Sequence, residues 1–205
     1  MNDGQLQHRR RSVRLREYDY AERGAYFVTI VTQDRSCLFG EIINDAMQLS
    51  GAGVAIQRWW FELKSKFATV EMDEFVIMPN HLHGIVVITD TIVGADLRVG
   101  PVPEGAHTGA PLPTVIQWSK TMTTNEYIRG VKTLDWPAFR GRLWQRSYYE
   151  HIIRHEKSLN RIRQYILDNS AHWDADRENP VVGTGRRVAI ALVSATWRRH
   201  CGRVV

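Results

Sequence analysis

The run Val76-Ile77-Met78-Pro79-Asn80-His81-Leu82-His83-Gly84-Ile85-Val86-Val87-Ile88 leaves the chain few choices. Residues 84–89 are dominated by β-branched apolar side chains and read as a strand. Residues 74–78 read as its neighbour, with Pro79 to His83 in the tight connection. If the second strand begins at the histidine pair, its period of two puts both imidazoles on one face and Leu82 in the packing on the other. Two imidazoles converging at a strand end make half a metal site. For an isolated His-x-His the commoner reading is that one ring caps the strand and the other faces water. The rest of the chain decides between them.

Upstream, residues 26–32 form another strand-like run opened by Gly24-Ala25, and a second short strand is expected over 38–43. Apolar residues at Val54, Ile56, Trp59, Trp60, Leu63 and Phe67 follow the helical period. Helical spacing returns over 114–129. Residues 142–153 are strand-like in part, and 156–169 give a final amphipathic helix with Leu159, Ile162 and Ile166 on its stripe. Short strands interleaved with helices and adjacent hairpins fit an α+β sandwich with an antiparallel sheet better than a doubly wound parallel one. The expected organisation is a charged arm over 1–23, one domain over 24–175 with a Gly/Pro-rich loop insertion near 91–113, and a tail over 176–205 of unassigned role.

The 205 residues are 43% hydrophobic, enough for one sizeable core. Cys37 and Cys201 form no C-x-x-C and read as reduced thiols. Nothing near Met1 resembles a signal peptide, and residues 188–197, the longest apolar-leaning stretch, are too short to span a bilayer. The expectation is a cytoplasmic protein without a membrane partner. The net charge of +5 comes mostly from arginine, whose fork pairs with phosphate oxygens. Arg9, Arg10, Arg11, Arg14 and Arg16 cluster in the arm, and Arg140, Arg142 and Arg146 before the last third of the domain. These are two candidate phosphate-binding stretches.

On the last helix Tyr165 and Asn169 are four residues apart, so a phenol and an amide oxygen share a face, with Arg161 one turn earlier. Tyrosines on such helices usually pack, so this spacing is weak evidence alone.

Taken together, these segments resemble the single-tyrosine HUH transposases, and within them the REP-associated tyrosine transposases. The likeness runs over most of residues 14–173. It is carried by Tyr18-Asp19-Tyr20 before the first strand, Met78-Pro79-Asn80-His81-Leu82-His83-Gly84, Lys120-Thr121-Met122-Thr123-Thr124-Asn125, Leu143-Trp144-Gln145-Arg146-Ser147-Tyr148-Tyr149-Glu150-His151, and Arg163-Gln164-Tyr165-Ile166. The resemblance implies a ferredoxin-like or RRM-like sandwich and one divalent metal, Mg²⁺ or Mn²⁺, on His81 and His83. It also implies Tyr165 as nucleophile and Asn169 completing the metal site, at a position where family members often carry Gln. The implied substrate is single-stranded DNA bearing a hairpin, cut through a 5′-phosphotyrosine by a monomer or a homodimer.

Other readings stay open on the residues themselves. Imidazole ligands also suit zinc, nickel and copper. Tyr148 and Tyr149 are alternative nucleophiles, read here as packing or base-stacking residues facing opposite ways. His151 and His155 share helical spacing but read as a solvated face. A hairpin-binding protein without cleavage is the alternative function. A zinc hydrolase would want a third strong ligand and a carboxylate base beside the histidines.

Overall fold

A computed structural model describes residues 19–89 and 110–183. Strand β1 (Gly24–Val31) is followed by a short hairpin, β2 (Gly40–Ile43) and β3 (Ala46–Leu49). Helix α1 (Gly51–Lys66) comes next, then β4 (Val70–Ile77), β5 (His81–Ile88), helix α2 (Leu112–Thr133), β6 (Tyr149–Ile153) and helix α3 (Glu156–Leu167). A 3-10 segment (Ser170–Ala175) and a short turn of helix (Pro180–Gly183) close the described chain.

Four strands make an antiparallel sheet in the order β4-β5-β1-β6. With the hairpin set aside, the path is strand-helix-strand-strand-helix-strand with the later strand of the central hairpin beside β1. That is the ferredoxin-like arrangement the resemblance implies. Alternation along the strands splits the core in two. Tyr26, Val28, Ile30, Leu82 and Val86 pack with Trp60, Leu63, Val115, Ile116 and Tyr127 of α1 and α2. Phe27, Ile85 and Ile153 meet Ile162 and Ile166 of α3 in the other. The α3 face carries the histidines.

Each element has a local cause. Ser50 caps α1, its Oγ accepting from the Gly53 amide at 3.2 Å. Gly84 lets α1 approach: a Cβ there would lie 2.4 Å from Trp60 Cζ2, so only glycine lets the indole lie behind the histidine strand. The β2–β3 hairpin turns on Asn44 and Asp45 at φ of 49° and 62°, the conformation of a type I′ turn that Asx residues tolerate.

Several expectations are corrected. The short strand expected over 38–43 is one arm of a hairpin whose second arm, β3, the sequence reading lacks. The histidines stand in β5, whose pairing extends to them (Val31 opposite His81, Thr29 opposite His83), not in the connection. Tyr20, assigned to the arm, is buried against Tyr26, and its carbonyl accepts the Leu112 amide. His151 lies on β6 and His155 caps α3, so no helix carries both.

Candidate functional site

His81 and His83 are both buried, with their Nε2 atoms 3.1 Å apart. Their tautomers follow from the atoms behind them. Asn80, itself fully buried, donates from Nδ2 to the carbonyls of Arg35 (2.9 Å) and Glu178 (2.7 Å), which fixes its amide orientation. Asn80 Oδ1 therefore faces His81 Nδ1 at 2.8 Å and can only accept. The His81 proton sits on Nδ1, and the Nε2 lone pair points at His83. His83 Nδ1 lies 2.8 Å from Thr29 Oγ1 on the neighbouring strand. Burial pushes both imidazoles far down, that of His83 to about 3, so neither is protonated at neutral pH.

Across the pair stands Tyr165, delivered by α3. Its hydroxyl is 3.2 Å from His83 Nε2, and its ring packs edge-on to Phe27, which stacks on His83. The side chain is 41% exposed, so the phenol meets both the histidines and solvent.

The chain then folds back over the site. Trp173 covers the His81 ring at 6.1 Å between centroids, and Asp176 Oδ2 lies 3.7 Å from His81 Nε2. Glu178 binds Arg35 at 2.7 Å as well as Asn80 through its carbonyl. His81, His83 and Asp176 bring one ligand atom each within 4.8 Å of one another, a group that could hold a metal ion. Burial raises the Asp176 carboxyl to about 6. Residues 176–179, past the expected domain end at 175, thus pack against the histidine pair through Asp176 and Glu178. No period announces Asp176. The available signal is acids at 174, 176 and 178 directly after Trp173.

Asn169 lies just past the end of α3, at the start of the 3-10 segment, one turn beyond Tyr165 as its spacing demands. It is buried, and its Oδ1 has no hydrogen-bond partner among the described residues. Two unprotonated imidazoles and a carboxylate are a donor set suited to a divalent cation.

Two of the motif segments meet at this end of the sheet. Lys120 Nζ donates to the carbonyls of Gln145 (2.6 Å) and Arg146 (3.2 Å), and Trp144 Nε1 donates to Thr123 Oγ1 at 2.9 Å. Gln145 is bonded in turn to Val31 and Thr32, one strand away from His81. Arg140, Arg142 and Arg146 are exposed on this irregular segment, while Arg161 is half-buried on α3. Tyr148 packs into the α1–α2 core, and Tyr149 is exposed on the opposite face beside Phe27. Arg9, Arg10, Arg11, Arg14 and Arg16, the loop near 91–113 up to residue 109, Cys201 and the tail beyond 183 lie outside the described residues. No helix among the described residues is long and apolar enough to cross a membrane.

Comparison with known proteins agrees with this geometry at the level of fold. The chain aligns with the solved structure of a REP-associated tyrosine transposase bound to a REP hairpin at a TM-score of 0.50 and 19% identity, over 77% of this chain and 72% of that one. The likeness is one of fold, an α+β sandwich on an antiparallel sheet. No family model matches the sequence. An uncharacterised protein of Haemophilus influenzae (strain Rd) is 39% identical over 175 residues, covering 83% of this chain and 93% of that protein. The chain belongs to the family that includes this Haemophilus protein.

Proposed function

We propose that the protein is a metal-dependent DNA strand transferase of the transposase type, acting on single-stranded DNA beside a hairpin and cutting through a 5′-phosphotyrosine on Tyr165. The observation that carries this reading is the phenol oxygen 3.2 Å from the Nε2 of a buried, unprotonated histidine pair. A bare phenol, with an ordinary pKa of about 10, is a weak nucleophile at neutral pH. His81, His83 and Asp176, with the Asn169 amide oxygen as a further donor, would hold Mg²⁺ or Mn²⁺, and the ion would polarise the scissile phosphate and offset charge on its oxygens.

The chain's own residues do the rest. Phe27 fixes the Tyr165 ring, and the exposed side of the phenol gives its proton a path to water. As the Tyr165 Oη–P bond forms, the P–O3′ bond breaks and the leaving oxygen takes up a proton. The products are a 5′-phosphate held on Tyr165 and a free 3′-hydroxyl, with the phosphodiester bond energy kept in the covalent link, so rejoining needs no ATP. Arg140, Arg142, Arg146 and Arg161, with the arginine-rich arm, would grip the DNA backbone. Domain 24–175, extended through the strap to 179, carries the chemistry.

The test is incubation of the purified protein with labelled hairpin oligonucleotides carrying single-stranded flanks. A detergent-stable protein–DNA adduct in Mg²⁺ or Mn²⁺ that vanishes in EDTA supports the reading. Hairpin binding with no adduct in either metal contradicts it.

A further inference from the structure

Helix α3 rests on few apolar contacts. Ile162 and Ile166 are its fully buried residues, with Leu159 beside them, and a stripe that narrow constrains the helix's rotation less than a bidentate polar contact does. A roll of about 20° would carry a side-chain tip roughly 6 Å off the axis through about 2 Å, enough to take the phenol off the histidines. A second contact away from the site would fix that rotation before substrate binds.

Such a contact is on β4. The strand's pairing to β5 breaks between Met72 and Phe75, leaving Asp73 and Glu74 in an irregular step. Asp73 sits in that step, its Oδ1 accepting the Glu74 amide at 2.7 Å. Its two oxygens also take a bidentate fork from Arg163, Nε to Oδ1 at 2.7 Å and Nη2 to Oδ2 at 2.5 Å. Asn160, one turn earlier on α3, accepts from Arg163 Nη1 at 3.0 Å and holds the guanidinium in plane. The Arg163 fork holds the Asp73 carboxyl below the ordinary carboxylate range.

We infer that Asp73 and Arg163 are positioning residues that set the rotation and height of α3, and so place the Tyr165 hydroxyl on the histidine pair of its own chain. The inference rests on Tyr165 being the nucleophile. A planar two-point fork fixes a rotation where a single contact cannot, and an error of about 1 Å at a reacting atom costs on the order of 100-fold in rate.

The test uses Asp73→Asn, Arg163→Lys, which cannot form the fork, and the swapped pair Asp73→Arg with Arg163→Asp. In single-turnover adduct formation on a hairpin oligonucleotide with Mn²⁺, each single variant should be about 10- to 100-fold slower. Hairpin affinity should stay within about twofold, and the swap should recover most of the rate. Equal losses of rate and hairpin affinity, or an unchanged rate, overturn the inference. A second readout needs no cleavage: ¹⁹F spectra of protein labelled with 3-fluorotyrosine, the Tyr165 resonance being assigned by its absence in Tyr165→Phe. One sharp resonance in the native chain that splits or broadens in both single variants supports the inference, and the same resonance in all overturns it. If the native chain forms no adduct on any hairpin, the proposed function fails, and the fluorine spectra alone decide the positioning role.

Discussion

Asn80 Oδ1 accepts the Nδ1 proton of His81 at 2.8 Å, and through that one bond the chain decides which nitrogen of the ring faces the site. Asn80 can do so because Arg35 and Glu178 occupy both of its amide protons. Replacing Asn80 with Ala leaves those carbonyls and the His81 proton without their buried partner. Loss of such a supporting hydrogen bond typically costs a metal site about 10- to 100-fold in affinity. The orphaned groups should also lower stability by about 1–3 kcal/mol. Mn²⁺ titration followed by electron paramagnetic resonance, together with urea unfolding, checks both values. Native metal affinity in Asn80→Ala would show that the ring is oriented by other contacts.

Asp176 tests whether the strap after α3 is part of the site. Asp176→Ala should weaken Mn²⁺ binding about tenfold or more, while hairpin affinity stays within about twofold, because its carboxylate faces the histidines and not an exposed surface. Asn169→Ala is expected to weaken Mn²⁺ less, since a neutral amide oxygen contributes less than a carboxylate. Isothermal titration of the two variants gives the order directly. If Asp176→Ala binds Mn²⁺ as the native chain does, the strap is packing alone.

In chelator the site should make stability depend on pH with a definite sign. Burial holds both histidines below their ordinary value of 6.5, that of His83 at about 3. The unfolded chain therefore binds more protons as pH falls below 6.5, and stability declines toward about pH 3. The limiting slope is about 1.4 kcal/mol per pH unit for each ring. Asp176, raised from 3.8 to about 6, works the other way between those two values, because the folded state takes up its proton first. The net decline from pH 6 to 4 should be about one histidine's worth, and His83→Asn should nearly flatten it. Urea midpoints at pH 7, 6, 5 and 4 in EDTA measure this, and a native chain with no decline contradicts the assigned protonation states.

Much of this architecture could be read from local pattern. The β-branched apolar run through residues 84–88 and the 3.6-residue stripes of α1 and α3 declare themselves in any window of the chain. The pair His81/His83 and the spacing of Tyr165 from Asn169 are likewise local periods. Asp176 was not legible because its place depends on the chain reversing after Trp173 and crossing back to β5, a contact between residues almost a hundred apart. The β3 arm of the hairpin was missed because Ala46-Met47-Gln48-Leu49 carries little β-branched signal, and its pairing with β2 decides it. In the sequence Asp73 is one of three acids, with Glu71 and Glu74, that precede the histidines, and no local period sets it apart. Only the irregular step in β4 turns it toward Arg163.

The central claim is that Tyr165 attacks the phosphate at this histidine site, and peptide mass spectrometry of the trapped adduct tests it most directly. Tyr165→Phe keeps the ring against Phe27 and should preserve fold, metal binding and hairpin affinity while abolishing both strand cleavage and adduct. Tyr148→Phe and Tyr149→Phe should still form it. The account predicts a nucleotide linked through its 5′-phosphate to the peptide containing Tyr165, with a free 3′-hydroxyl on the released strand. A nucleotide on Tyr148 or Tyr149, or cleavage by Tyr165→Phe, would contradict it.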